Sequence, residues 1–153
     1  MSLPDGIAAR LQTQLDVIPA LLGDVAPAEI LRRPLPDKWS AHENLAHLGR
    51  YHEVFLERMA RILVEDRPQV GRYRAEDDAK SPLWLALPTT EALKRMRSLR
   101  QHRIAQVGGI SDHQLAREGI HSVFGSLSLT QWLDFFLVHE AHHLYVAVLR
   151  ARA

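Results

Sequence analysis

The stretch Phe136-Leu137-Val138-His139-Glu140-Ala141-His142-His143-Leu144-Tyr145 constrains this chain most. It has the apolar content of a buried helix, yet it carries three histidines within five residues. On a helix, residues four apart share a face, one turn above the other. His139 and His143 therefore point the same way, and two imidazoles at that spacing can reach one metal ion. His142, three residues after His139, is the competing partner. The i, i+4 pair on the Trp132/Phe136 face favours His143. A third ligand has to come from another part of the chain.

Periodicity supplies the surroundings. Ile7, Leu11, Leu15, Ile18 and Leu22 recur at three- and four-residue steps and predict a first helix over about 5–22, with Pro19 as a kink or early stop. Pro27 opens a short helical turn. Ser40 and Glu43 form a capping box that starts a second helix over about 41–64, with Trp39 placed to staple back onto it. Leu45, Leu48, Phe55, Met59 and Ile62 form its main apolar stripe; His47, Tyr51, Val54 and Arg58 form an adjoining one. A long, charged loop follows to about Pro88, with Trp84, Leu85 and Leu87 dipping toward the core. Thr89 or Thr90 caps a third helix to about Val107, phased by Leu93, Met96, Leu99 or Arg100, and Ile104. Residues 110–129 give a mixed signal, including a turn with short extended flanks at 121–126. Ser128 and Gln131 form a second capping box, and a last helix runs over about 129–150. Its inward face is read as Trp132, Phe135, Phe136, His139, His143, Val146 and Leu149.

Four long helices with no convincing strand pair and no repeat predict an all-α four-helix bundle, with long loops between helices 2–3 and 3–4. The 153 residues are the size of one domain, read as spanning 1–153. Composition narrows the function. There is no Cys, which excludes a thiolate metal site, an iron–sulfur cluster and a Cys nucleophile. Lys plus Arg number 19 against 18 Asp plus Glu, with no basic block, so neither nucleic acid nor a charged membrane is expected as partner. No apolar run is long enough to span a bilayer, and Met1–Gly6 does not open like a secretory signal, so the cytoplasm is the expected location.

His47 is the best third ligand. It lies one turn inside the second helix, flanked by Leu45, Ala46 and Leu48, and bundle metal sites are built from inward side chains on facing helices. His42 sits in the first turn, His52 on a more polar flank, His102 beside Gln101 and Arg103. His113 and His121 belong to the loop, near a pocket mouth. Three nitrogen ligands leave a fourth position open for water or substrate, as in catalytic rather than structural sites. Glu53, Glu140 and His121 are candidate general bases on helix phase or loop placement alone. Glu43, one turn before His47, is placed either to orient it or to cap the helix.

Three segments carry a resemblance to a known family: Pro36-Asp37-Lys38-Trp39-Ser40-Ala41-His42-Glu43-Asn44-Leu45-Ala46-His47-Leu48, His121-Ser122-Val123-Phe124-Gly125-Ser126-Leu127-Ser128-Leu129, and His139-Glu140-Ala141-His142-His143-Leu144. Together, in this order, they resemble the DinB-like superfamily of four-helix-bundle metalloproteins, which includes bacterial thiol S-transferases and mycothiol-dependent maleylpyruvate isomerases. The resemblance implies His47, His139 and His143 as the metal triad, a divalent ion (Zn or Ni) and a homodimer. The expected function is a metal-dependent thiol S-transferase or hydrolase acting on a small molecule. The open metal position would activate either a low-molecular-weight thiol or water. The alternative is a non-catalytic, metal-stabilised helical dimer that acts as a binding module.

Overall fold

The computed structural model describes residues 3–153. The first bundle helix is split. α1 (Asp5–Thr13) passes through a 3-10 turn (Gln14–Asp16) into α2 (Val17–Leu22). Pro19 explains the break, but upstream of itself. A proline ring clashes with the carbonyl four residues earlier, here Leu15, in the middle of the 3-10 turn. Within α2 it lies in the first turn, where a missing N–H costs nothing. A short α3 (Pro27–Leu31) precedes α4 (Ala41–Val64).

α4 is the axis of the molecule, packed against both other long helices, and from Ala41 to Phe55 it presents little surface to solvent. Its capping box is complete. The Ser40 hydroxyl accepts from the Glu43 N–H at 3.1 Å, and the Glu43 carboxylate accepts from the Ser40 N–H at 2.7 Å. Next come β1 (Gln69–Val70), a 3-10 turn (Ala75–Asp77) and α5 (Ser81–Leu85). Trp84 of α5 is buried against α4 because Gly49 leaves room: a Cβ at Gly49 would lie 2.1 Å from the indole.

α6 (Thr89–Gly108) is the third bundle helix. The expected threonine cap does not form. Pro88 occupies the cap position, and the Thr89 hydroxyl lies 2.8 Å from Nδ1 of His42. The other His42 nitrogen lies 3.0 Å from the Leu85 carbonyl, so His42 ties α4 to both α5 and α6. After α7 (Asp112–Leu115) come β2 (Glu118–His121) and β3 (Gly125–Ser128), then α8 (Leu129–Ala151). Its cap is the expected Ser128/Gln131 box.

The expectation of no strand pair is corrected. β1, β2 and β3 form a small sheet in that order, parallel then antiparallel, with His121 opposite Gly125 across the hairpin. The strands are too short for alternation to register, and β3 is Gly-Ser-Leu-Ser. Gly125 has φ +76°, a conformation that favours glycine. The architecture is otherwise the expected four-helix bundle with its two long connections. The inward face of α8 differs in part: Leu149 is exposed, while Leu137, Leu144, Ala147 and Ala151 are buried. Among the described residues no helix is long and apolar enough to cross a membrane.

The core is not purely apolar. Arg100 and Arg103 of α6, Glu140 of α8 and His52 of α4 are all buried. Arg100 pairs with Glu140, which also accepts from the Gln14 amide at 2.8 Å. A second Arg100 donor reaches the Leu11 carbonyl at 2.7 Å. Arg103 donates to the His52 carbonyl at 2.6 Å and lies over the Phe55 and Phe136 rings at 4.6 and 4.3 Å. All four bundle helices thus meet in one buried polar network.

Candidate metal centre

Beside this network, on the other flank of α8, three imidazoles converge. His47 comes from α4, and His139 and His143 come from successive turns of α8. One ligating atom from each lies within 4.8 Å of the others. The structure brings these three together, whereas His142 is exposed and outside the cluster. His102 and His113 are exposed, His42 bridges helices, and His52 faces the core rather than a polar flank.

The triad fits a metal ion. Nε2 of His47 and Nε2 of His139 are 3.2 Å apart. Two nitrogens on one tetrahedral ion, with metal–nitrogen bonds of about 2.0–2.1 Å, stand about 3.3 Å apart. The Nδ1 atoms of His47 and His139 are buried without a hydrogen-bond partner among the described residues, so only the centre itself offers these rings polar company. His143 is oriented differently. Its Nδ1 lies 2.8 Å from Oδ1 of Asn44, an acceptor, so the proton sits on Nδ1 and Nε2 keeps its lone pair.

Electrostatics keep the rings in ligand form. Burial pushes His47 down to about 4, against an opposing pull from Glu76. Burial and then the neighbouring histidines push His143 down to about 3 and His139 to about 2. All three are neutral at neutral pH, the form that binds metal without first losing a proton.

Aromatic rings wall the centre. Trp39 lies 5.1 Å from His47 and 6.1 Å from His143, ring centroid to centroid, and Tyr51 lies 4.2 Å from His139. Trp39 is thus a wall of the site rather than only a staple. It was missed because the residue before a helix cap has a ready structural role. Asn44 was also missed, though its place four residues from Ser40 and three from His47 puts it on an inward face. Glu43 is not the orienting carboxylate: it is held by the capping box and by Arg33.

The centre opens into a cavity of about 750 Å³ roofed by the β2–β3 hairpin and the segment after β1. Of the three candidate bases, only His121 lines it. Glu53 accepts from Arg50 and from the Trp84 indole at a separate cavity, and Glu140 belongs to the buried network. Phe135 lines the cavity too, while Trp132 and Phe136 are core.

Comparison with known proteins bears on the same region. A family model described as the DinB superfamily matches residues 10–147. The protein YuaE from Bacillus subtilis (strain 168), which carries the description uncharacterised, is 24% identical over 150 residues, covering 89% of this chain and 88% of that one. The solved structure of YfiT from Bacillus subtilis superposes with a TM-score of 0.80 over 97% of this chain and 85% of that one, at 16% identity. YfiT is described as a probable metal-dependent hydrolase with an unusual four-helix bundle topology. At that identity the likeness speaks for the fold.

Proposed function

The chain belongs to the DinB superfamily, and on that premise we propose that it is a metal-dependent hydrolase of small molecules, with a divalent ion held by His47, His139 and His143. The observation that carries the proposal is the convergence of three neutral imidazoles, one buried and two half-buried, at the floor of an open cavity. The ion, when bound, supplies Lewis-acid polarisation and lowers the pKa of a water or thiol placed against it. The chain's own residues do the rest. Asn44 fixes the tautomer of His143. Trp39 and Tyr51 exclude solvent from the flanks of the triad and hold the ring planes. His121 lines the same cavity.

Zn or Ni is the proposed ion. Elemental analysis of protein purified without an affinity tag is expected to give close to one divalent ion per chain. His47→Ala and His143→Ala are expected to lose it and His142→Ala to keep it. Full metal content in the first two variants would overturn the assignment. Chelator-sensitive cleavage of aryl esters, restored by added metal, tests the hydrolase reading. Turnover seen only when a low-molecular-weight thiol is supplied would instead make the protein a thiol S-transferase using the same open position.

The homodimer is part of the proposal. Val138, Tyr145 and Leu149, 61%, 65% and 45% exposed, form an apolar stripe on α8 that a second copy would cover. Light scattering is expected to give twice the chain mass, and a single mass for Tyr145→Glu.

A further inference from the structure

Resting on that reading of the site, we propose that the cavity selects organic anions: the substrate carries a carboxylate or phosphate group held by Arg58 and Arg72 beside the β2–β3 hairpin. The charges in the cavity are unequally distributed. Arg58 of α4 is buried, and its bonds go only to neutral groups: Nη1 donates to the Tyr51 hydroxyl at 3.0 Å and Nη2 to the Gly71 carbonyl at 2.8 Å. It has no carboxylate partner among the described residues. Two of the roughly five donors of a guanidinium are used. A buried cation without a counter-ion is costly unless a ligand completes it. Arg72 is exposed on the same wall and has neither a hydrogen bond nor an ion pair among the described residues. Arg74, which also lines the cavity, is matched by Asp77 at 3.6 Å.

Among the described residues the only carboxylate lining the cavity is Glu76, and its influence falls on His47, at the metal end. Arg58 and Arg72 both act on His121, at the hairpin end, and Arg58 also acts on His139, so it stands between the two ends. His121 adds a neutral donor at the hairpin end. Its Nδ1 accepts the backbone N–H groups of Val123 and Phe124 at 3.0 and 3.2 Å. The ring proton therefore sits on Nε2, which has no protein partner among the described residues. Two cations and an N–H donor without acceptors make an anion-binding set. A divalent ion on three neutral imidazoles would add positive charge to the cavity rather than offset these arginines. Phe124 and Phe135 beside them supply apolar wall for the organic part.

Calorimetric titration of metal-free protein tests this, since binding then cannot pass through the ion. The probes are phenyl phosphate and benzoate, with benzyl alcohol as the uncharged control. At least one anion is expected to bind on the order of tenfold or more tightly than benzyl alcohol, and the better anion names the group. Arg72→Gln, which breaks no bond within the protein, is expected to weaken that anion about tenfold and to leave benzyl alcohol unchanged. Equal affinity for anion and alcohol, or an Arg72→Gln variant that binds the anion like the parent, would overturn the proposal. Metal content is measured separately, so failure here is distinguishable from failure of the metal assignment.

Discussion

Asn44 makes two hydrogen bonds that pull in different directions. Its amide N–H₂ donates to the Ser40 carbonyl at 2.8 Å, and its Oδ1 faces Nδ1 of His143. The side chain therefore carries the helix start into the orientation of one ligand. Asn44→Ala should weaken metal binding about 10–100-fold with little loss of fold, as read by competition with a chromogenic chelator. Asn44→Asp, which keeps the acceptor, should hold most of the affinity. His52 is the opposite case, a histidine with no part in the centre. It is fully buried, its Nδ1–H donates to the Leu48 carbonyl at 2.7 Å, and burial followed by Arg103 and Arg100 holds its pKa well below the usual value. The unfolded chain takes up a proton there below about pH 6.5 and the folded chain does not. Stability therefore falls as pH drops below about 6.5, with a slope of about 1.4 kcal/mol per unit from this one residue. Urea titrations of metal-free protein from pH 7 to 5 should show a steeper total slope, because His47, His139 and His143 are also held neutral, and His52→Gln should reduce it by about 1.4 kcal/mol per unit.

The elements differ in how far their sequence revealed them. α4 and α8 were legible because a capping box and a long amphipathic period mark each one, and ligands on those helices inherit their phase. The His47/Tyr51/Arg58 stripe was legible for the same reason. The small sheet was not, because two- and four-residue strands show no alternation. The burial of His52, Glu140, Arg100 and Arg103 was hidden too. Pattern reading sends charges to the surface, and it fails where charges from separate helices pair with one another inside. The packing of α5 on α4 depends on one missing side chain. Gly49→Ala would drive a methyl into the Trp84 ring, and the rigid indole has no small motion that relieves it. The expected cost is about 1–3 kcal/mol in chemical denaturation, with a red shift of tryptophan emission as Trp84 is displaced.

Across the whole molecule, α8 separates two polar systems that lie back to back. His139 faces the metal centre, and the next residue, Glu140, closes the ion network that joins α6, α4 and the end of α1. Glu140 is the single carboxylate in that network, so its neutralisation leaves Arg100 and Arg103 buried without compensation. Glu140→Gln is expected to cost about 3–5 kcal/mol in urea denaturation. The cost should be shared by apo and metal-loaded protein alike, because the network bonds to none of the three imidazoles.

Trp39 gives the molecule an optical probe of its own centre. Its indole is in ring contact with two of the three imidazoles, while Trp84 is packed on Gly49 and Trp132 donates to the Gly119 carbonyl. An open-shell ion such as Cu(II) or Co(II) on the triad should extinguish Trp39 emission selectively, whereas Zn(II), with a filled d shell, should only shift its colour. Occupancy could then be followed in real time, without a label, in a chain that has no cysteine to carry one.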